Sequence, residues 1–176
     1  MKYKKLFSSV IILLIILSLL FVPFKTALIF YKENTDKMEA FLPLNKGDSF
    51  QIIFTHSIHL TDVVEKYRIT DDLNIHQYEF VYEQYGIGMP SNAEEGETFV
   101  YEDGKYHIKD MKRIFPSIEV RSGKQVPKHR LVWSKNDSDL EHMIWFNDYF
   151  EPGAWFTLKV ERISLWEYLK GVKIRE

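Results

Sequence analysis

From residue 50 onward, apolar and polar side chains alternate in short runs separated by turn formers. The runs 50–57 (FQIIFTHS), 63–70 (VVEKYRIT), 74–82 (NIHQYEFVY), 98–109 (TFVYEDGKYHIK), 117–123 (SIEVRSG), 129–135 (HRLVWSK), 142–147 (HMIWFN) and 154–162 (AWFTLKVER) are rich in β-branched and aromatic residues. That composition with a two-residue period marks half-buried strands. Asp103 and Gly104 split the 98–109 run into two alternating halves, a strong hairpin signal. Further turn signals fall at Asp71-Asp72, Ser122-Gly123, Asn136-Asp137 and Pro152-Gly153.

About eight short strands and no long amphipathic helix predict an all-β domain, an antiparallel β-sandwich or a barrel-like fold. A short C-terminal helix closes the chain. Ser164 and Glu167 have capping-box spacing and Gly171 supplies a stop. A helix of that length persists only when packed on the sheet.

The N-terminus follows another pattern. Lys2, Lys4 and Lys5 precede an uncharged, almost wholly apolar run over residues 6–24. At about 1.5 Å per residue the run approaches the roughly 30 Å of a bilayer core. It predicts one N-terminal transmembrane helix with a cytoplasmic N-terminus. The flanks offer no good pair of small residues for cleavage, which favours an uncleaved anchor over a signal peptide. The expected organisation is an anchor over 1–26, a membrane-proximal segment over 27–47 holding a first strand (27–32) and a loop (39–44), and an extracytoplasmic β-domain over 48–176.

Candidate chemistry concentrates in FTHSIHLTDVVEKYRI, residues 54–69. With a turn near Leu60-Thr61, Phe50, Ile52, Phe54 and His56 share one face with Val63, Glu65, Tyr67 and Ile69. This register sets His56 opposite Glu65, close enough to hydrogen-bond. Such a pair has three readings: a satisfied polar contact closing the core, a pocket gripping a small polar ligand, or a general base in a hydrolase-like enzyme. Ser57 faces away in a regular strand and lacks the flanking glycines of a nucleophile elbow. Zinc held by His56, His59 and Glu65 requires the turn to bring His59 round.

Downstream, Gly86, Gly88 and Pro90 lie in YGIGMPSNAEEGE, residues 85–97. The glycines permit close backbone approach and predict a loop folded over the His56 end of the sheet. The third glycine and following helix of a dinucleotide motif are missing, so no cofactor is expected. Residues 136–142 (NDSDLEH) space their acids like a calcium loop but lack its central glycine, which leaves a solvated turn and no expected metal. Tyr149 and Phe150 fall at a turn tip, where a membrane surface or partner could meet them.

Composition narrows the field. A chain of 176 residues with 45% hydrophobic and 15% aromatic residues can bury a core. A formal charge of −2 gives no footprint for nucleic acid. The absence of cysteine excludes disulfides, thiolate metal sites and cysteine nucleophiles.

His56-Ser57, Glu65 in the next strand, the Gly86-x-Gly88-x-Pro90 loop and the Asp103-Gly104 hairpin together resemble the bacterial domain-of-unknown-function family 1850, over roughly residues 48–165. The resemblance implies a small extracytoplasmic protein, often encoded beside solute importers of the TAXI-type TRAP class, with no established catalytic role. It implies an accessory or ligand-binding protein whose ligand-binding candidates are His56, Ser57, Glu65, Gly86, Gly88 and Pro90. An enzyme using His56 and Glu65, and a structural assembly factor, are the alternatives.

Overall fold

The computed structural model describes residues 2–86, 88–124, 126, 128–134 and 142–175. In chain order its elements are α1 (Lys2–Leu19), β1 (Pro23–Lys32), β2 (Met38–Leu42), β3 (Ser49–Thr55), β4 (Asp62–Ile69), β5 (Ile75–Tyr82), β6 (Thr98–Glu102) and β7 (Lys105–Lys109). There follow β8 (Arg113–Phe115), β9 (Ile118–Arg121), β10 (Arg130–Ser134), β11 (His142–Trp145), a 3-10 turn (Phe146–Asp148), β12 (Trp155–Ser164) and α2 (Leu165–Lys170).

Two antiparallel sheets face one another. One is four-stranded, in the order β2-β1-β12-β9; the other is eight-stranded, in the order β11-β10-β3-β4-β5-β7-β6 with β8 beside β5. The all-β expectation therefore holds, as two open sheets rather than a closed barrel. The core between them takes Leu28, Phe30, Ala40, Leu42 and Leu158 from the smaller sheet and Phe50, Ile52, Ile69, Leu131 and Trp133 from the larger. Asp103 (φ 51°) and Gly104 (φ 79°) form the anticipated tight turn between β6 and β7, because two successive positive φ values match the strand twist.

Segment 27–47 is part of the fold rather than a spacer. β1 pairs with β12 from Pro23↔Ser164 to Lys32↔Phe156, and residues 39–42, expected as loop, lie in strand β2. Residues 27–30 of β1 are all buried. Leu28 and Phe30 enter the sandwich core, while Ala27 and Ile29 turn to a second cluster with Phe41, Ile163 and Tyr168 under α2. That helix carries the anticipated capping box: the Ser164 hydroxyl accepts from the Glu167 N–H, and the Glu167 carboxylate accepts from the Ser164 N–H.

The N-terminal run differs from the transmembrane helix expected over residues 6–24. Helix α1 has 18 residues including the lysine-rich start, about 27 Å of length. No helix among the described residues is long and apolar enough to cross a membrane. The helix stops where Leu20, Phe21 and Val22 donate to carbonyls three residues back. Pro23, which cannot continue a helix, opens β1, and pairing with β12 captures the end of the apolar run. Phe150 also departs from expectation. It is buried in the core with Phe30 and Phe156, and the Tyr149 hydroxyl donates to the Arg175 carbonyl.

If β1 belongs to the folding unit, Phe30→Ala costs about 3–5 kcal/mol in urea unfolding, whereas Ser164→Ala, which removes one cap, costs about 1 kcal/mol. A Phe30→Ala protein as stable as the parent would place β1 outside the core.

Candidate functional site

The hairpin β3–β4 determines which polar groups meet. Its register runs Ser49↔Arg68 to Thr55↔Asp62. The Thr55 hydroxyl donates to Asp62 at 2.9 Å, and the Asp62 carboxylate also pairs with Arg130. These contacts hold the carboxyl of Asp62 below the usual range against the opposing effect of its burial. The connection 56–61 closes with the His56 N–H donating to the Thr61 carbonyl at 2.8 Å and the Leu60 N–H to the His56 carbonyl at 2.9 Å.

The expected His56–Glu65 pair does not form. Glu65 lies opposite Ile52 and Phe80, three positions past Asp62, or about 10 Å along the strand. The turn is centred on Ile58-His59, two residues before Leu60-Thr61, so each β3 residue meets a β4 residue four positions earlier than expected. Parity is preserved, so Glu65 does face the core as expected. It is held there by Tyr67, whose hydroxyl donates to it at 3.0 Å. Burial raises the carboxyl of Glu65, an effect the tyrosine hydrogen bond partly offsets, and burial beside Glu65 pushes the Tyr67 phenol up. The hydrogen-bonded pair on which a His56–Glu65 hydrolase rests is thus not formed.

His56 instead organises the hairpin tip. Its Nδ1 accepts from the Ile58 and His59 N–H groups, each at 3.3 Å, so the neutral ring carries its hydrogen on Nε2. His59 stacks on it at 4.8 Å. The glycine loop lies against this pair, in keeping with its composition. A Cβ on Gly86 would stand 2.7 Å from His59 Nε2, and one on Gly88 would stand 3.9 Å from His56 Nε2. The loop is tied down further along, where the Tyr82 hydroxyl donates to the Pro90 carbonyl at 2.5 Å. His56, Ser57, Gly86 and Gly88 thus gather at one end of the larger sheet, and Glu65 does not join them. Among the described residues no three potential ligands converge to hold a metal. Residues 136–141 of the acid-rich segment lie outside the described residues.

Beside His56 is a cleft of about 400 Å³ lined by Phe54, Thr55, His56, Ser57, Arg121, Ser122, Gly123, Lys124, Val126 and His129. One wall is the β3 end and hairpin tip. The other is the segment leaving β9, held by the Ser122 N–H donating to the Ala154 carbonyl and the Gly153 N–H donating to the Ser122 carbonyl. Among the described residues, four that line the cleft carry nitrogen cations or imidazoles, and none carries a carboxylate. Ser122 is 0% exposed. Its hydroxyl and His129 Nδ1 are buried polar atoms with no hydrogen-bond partner among the described residues. His129 stacks on Phe54 at 5.7 Å, and burial pulls its pKa below the ordinary 6.5. The Arg121 guanidinium stacks over Trp155.

Sequence reasoning missed Arg121, Ser122, Lys124 and His129, treating Ser122-Gly123 only as a turn. The available signal was the basic, glycine-containing stretch RSGKQVPKH, residues 121–129, between two strands.

Gly86→Ala should destabilise the protein by about 1–3 kcal/mol through overpacking. Combining it with His59→Ala should recover most of that loss, and additive effects in the double-mutant cycle would show that the two do not touch. For His129, the native state favours the neutral ring more than the unfolded chain does. Its stabilising contribution is therefore complete above pH 6.5 and declines as pH falls below that value. Denaturation midpoints between neutrality and mild acid should fall less in His129→Gln than in the parent, and parallel profiles would contradict the assignment.

Residues 50–140 match the family described as Domain of unknown function (DUF1850). No curated protein and no solved structure matches the chain. The matched segment runs from β3 through β10 and carries both walls of the cleft, and the chain belongs to the DUF1850 family.

Proposed function

We propose that this protein is a membrane-tethered, extracytoplasmic binding domain whose cleft between the β3–β4 tip and residues 121–124, 126 and 129 takes a small anionic ligand, a carboxylate or phosphate-like group. The observation that carries this reading is the cleft's lining: Arg121, Lys124, His56 and His129 without an opposing carboxylate among the described residues, beside the unpartnered Ser122 hydroxyl and His129 Nδ1. Buried polar atoms normally have partners; these two lie beneath the cleft surface, and an anion pressing into that wall would offer them one. Hydrogen bonds to charged groups contribute more than neutral ones, and partial burial of His129 strengthens them further. An anion seated there favours protonated His129.

Tethering is supported by helix α1, whose side chains from Val10 to Leu19 expose their apolar surface; a lipid phase would take that surface out of water. A domain beyond the membrane with an anion cleft suits an accessory role beside a solute importer of the TAXI-type TRAP class, the partner implied by the family resemblance.

Isothermal titration with inorganic phosphate and with short mono- and dicarboxylates tests the reading. At least one probe should bind with a single site and tighten as pH falls below 6.5, where His129 gains its proton more readily. Lys124→Gln should weaken that probe about tenfold, roughly 1.4 kcal/mol, without lowering stability, because the side chain is exposed. Affinity unchanged by Lys124→Gln, or absence of binding by any of the anions, would count against it.

A further inference from the structure

Helix α2 turns its larger apolar residues outward. Leu165, Trp166 and Leu169 are exposed, Leu169 by 69%, and none of the helix's residues is buried. Tyr168 alone packs inward, on Phe41 at 5.5 Å. In water an amphipathic helix arranged this way leaves its hydrophobic side unsatisfied.

This surface is continuous with the foot of α1. The Trp166 N–H donates to the Leu20 carbonyl at 2.9 Å, and the Phe21 and Trp166 rings lie 5.9 Å apart. Phe24 meets Tyr168 at 6.1 Å, and Phe21, Val22 and Phe24 are exposed like Trp166. Cations border the patch. Lys170 Nζ lies 5.1 Å from the Trp166 ring centroid, and Lys173 Nζ lies 5.0 Å from that of Tyr168.

We propose that Phe21, Phe24, Leu165, Trp166 and Leu169 form a platform that rests in the interfacial layer of the membrane, with Lys170 and Lys173 meeting lipid phosphates. Three features select a lipid surface over another occupant. The patch begins where the exposed apolar surface of α1 ends, so a membrane holding α1 reaches it without a rearrangement. Tryptophan with flanking lysines has the amphipathic character of the bilayer boundary, where an aromatic ring is half-submerged and the ammonium groups stay wet. The helix is also too short to hold its outward face by propensity alone and is fixed by its cap and by Tyr168 on Phe41, so the presentation is built in rather than adaptable. The platform rests on the tethering reading above and adds a second contact to it. Together they would hold the β-domain at a fixed angle to the bilayer, with the smaller sheet's α2 side toward the lipid.

The chain has no cysteine, so single Leu169→Cys, Leu13→Cys and Asp103→Cys variants of the full chain each carry one nitroxide label without background. The variants are reconstituted into phosphatidylcholine vesicles containing a minority of phosphatidylglycerol. Label accessibility to oxygen is compared with accessibility to a water-soluble nickel complex. The label at Leu169 should favour oxygen several-fold over the one at Asp103, and approach the value at Leu13. An oxygen-favoured label at Leu13 with Leu169 as wet as Asp103 would overturn the platform while leaving the tether standing. Wet labels at both positions would overturn the two together. Replacing phosphatidylglycerol with phosphatidylcholine should lower the oxygen preference at Leu169; an increase would contradict the role assigned to the two lysines.

Discussion

The β1–β12 ladder is the constraint on which the other parts depend. It joins residues 23–32 to residues 156–164, far apart in sequence, in an antiparallel ladder broken only by an irregularity between Pro23 and Lys25. Because β1 is covered on both faces, its burial stabilises the sandwich core and the layer under α2 at once. β12 also pairs on its other edge with β9, Trp155 opposite Arg121. The wall of the cleft that carries Arg121, Ser122 and Lys124 is therefore positioned by a strand whose own place is set by β1. Loosening this ladder would disturb the core, the seat of α2 and the candidate site together.

The proposed binding function draws on two loops brought to one end of a rigid scaffold. The hairpin tip contributes His56 and Ser57, and the β9 exit contributes the cationic residues and a buried hydroxyl. The glycine loop packs on the tip through Gly86 against His59, and its described residues do not line the cleft. Desolvation is central to the chemistry. It favours the neutral form of His129 in the cleft and would strengthen any charge-assisted hydrogen bond formed once an anion enters. Glu65 experiences the same physics with the opposite sign, its carboxyl raised by partial burial beside Tyr67.

Much of the architecture is legible in the sequence because strand periodicity is a local property. The alternation from residue 50, the Asp103-Gly104 turn and the Ser164–Glu167 capping box each rest on neighbouring residues, and each recurs in the fold. The register of the β3–β4 hairpin is not legible. Parity puts His56 and Glu65 on one face, but the true turn is set by the Thr55–Asp62 contact, by His56 Nδ1 accepting backbone N–H groups, and by Leu60 at φ 58°. A leucine in the left-handed region goes against ordinary turn preferences. The β2 strand escapes a sequence reading because its pairing with β1 and its cover by α2 are tertiary effects. Hydropathy along the N-terminal run cannot register that Pro23 and a distant strand claim its last residues. The second wall of the cleft escapes because its residues lie far in sequence from the hairpin tip and are positioned through β12.

The cleft is the central claim, and its most direct test is a backbone amide and imidazole NMR titration of the protein with inorganic phosphate. Shifts should concentrate at residues 55–57 and 121–129, with the His129 ring moving toward its protonated form as phosphate binds. Shifts confined to other surface lysines, or a His129 ring indifferent to the anion, would contradict it.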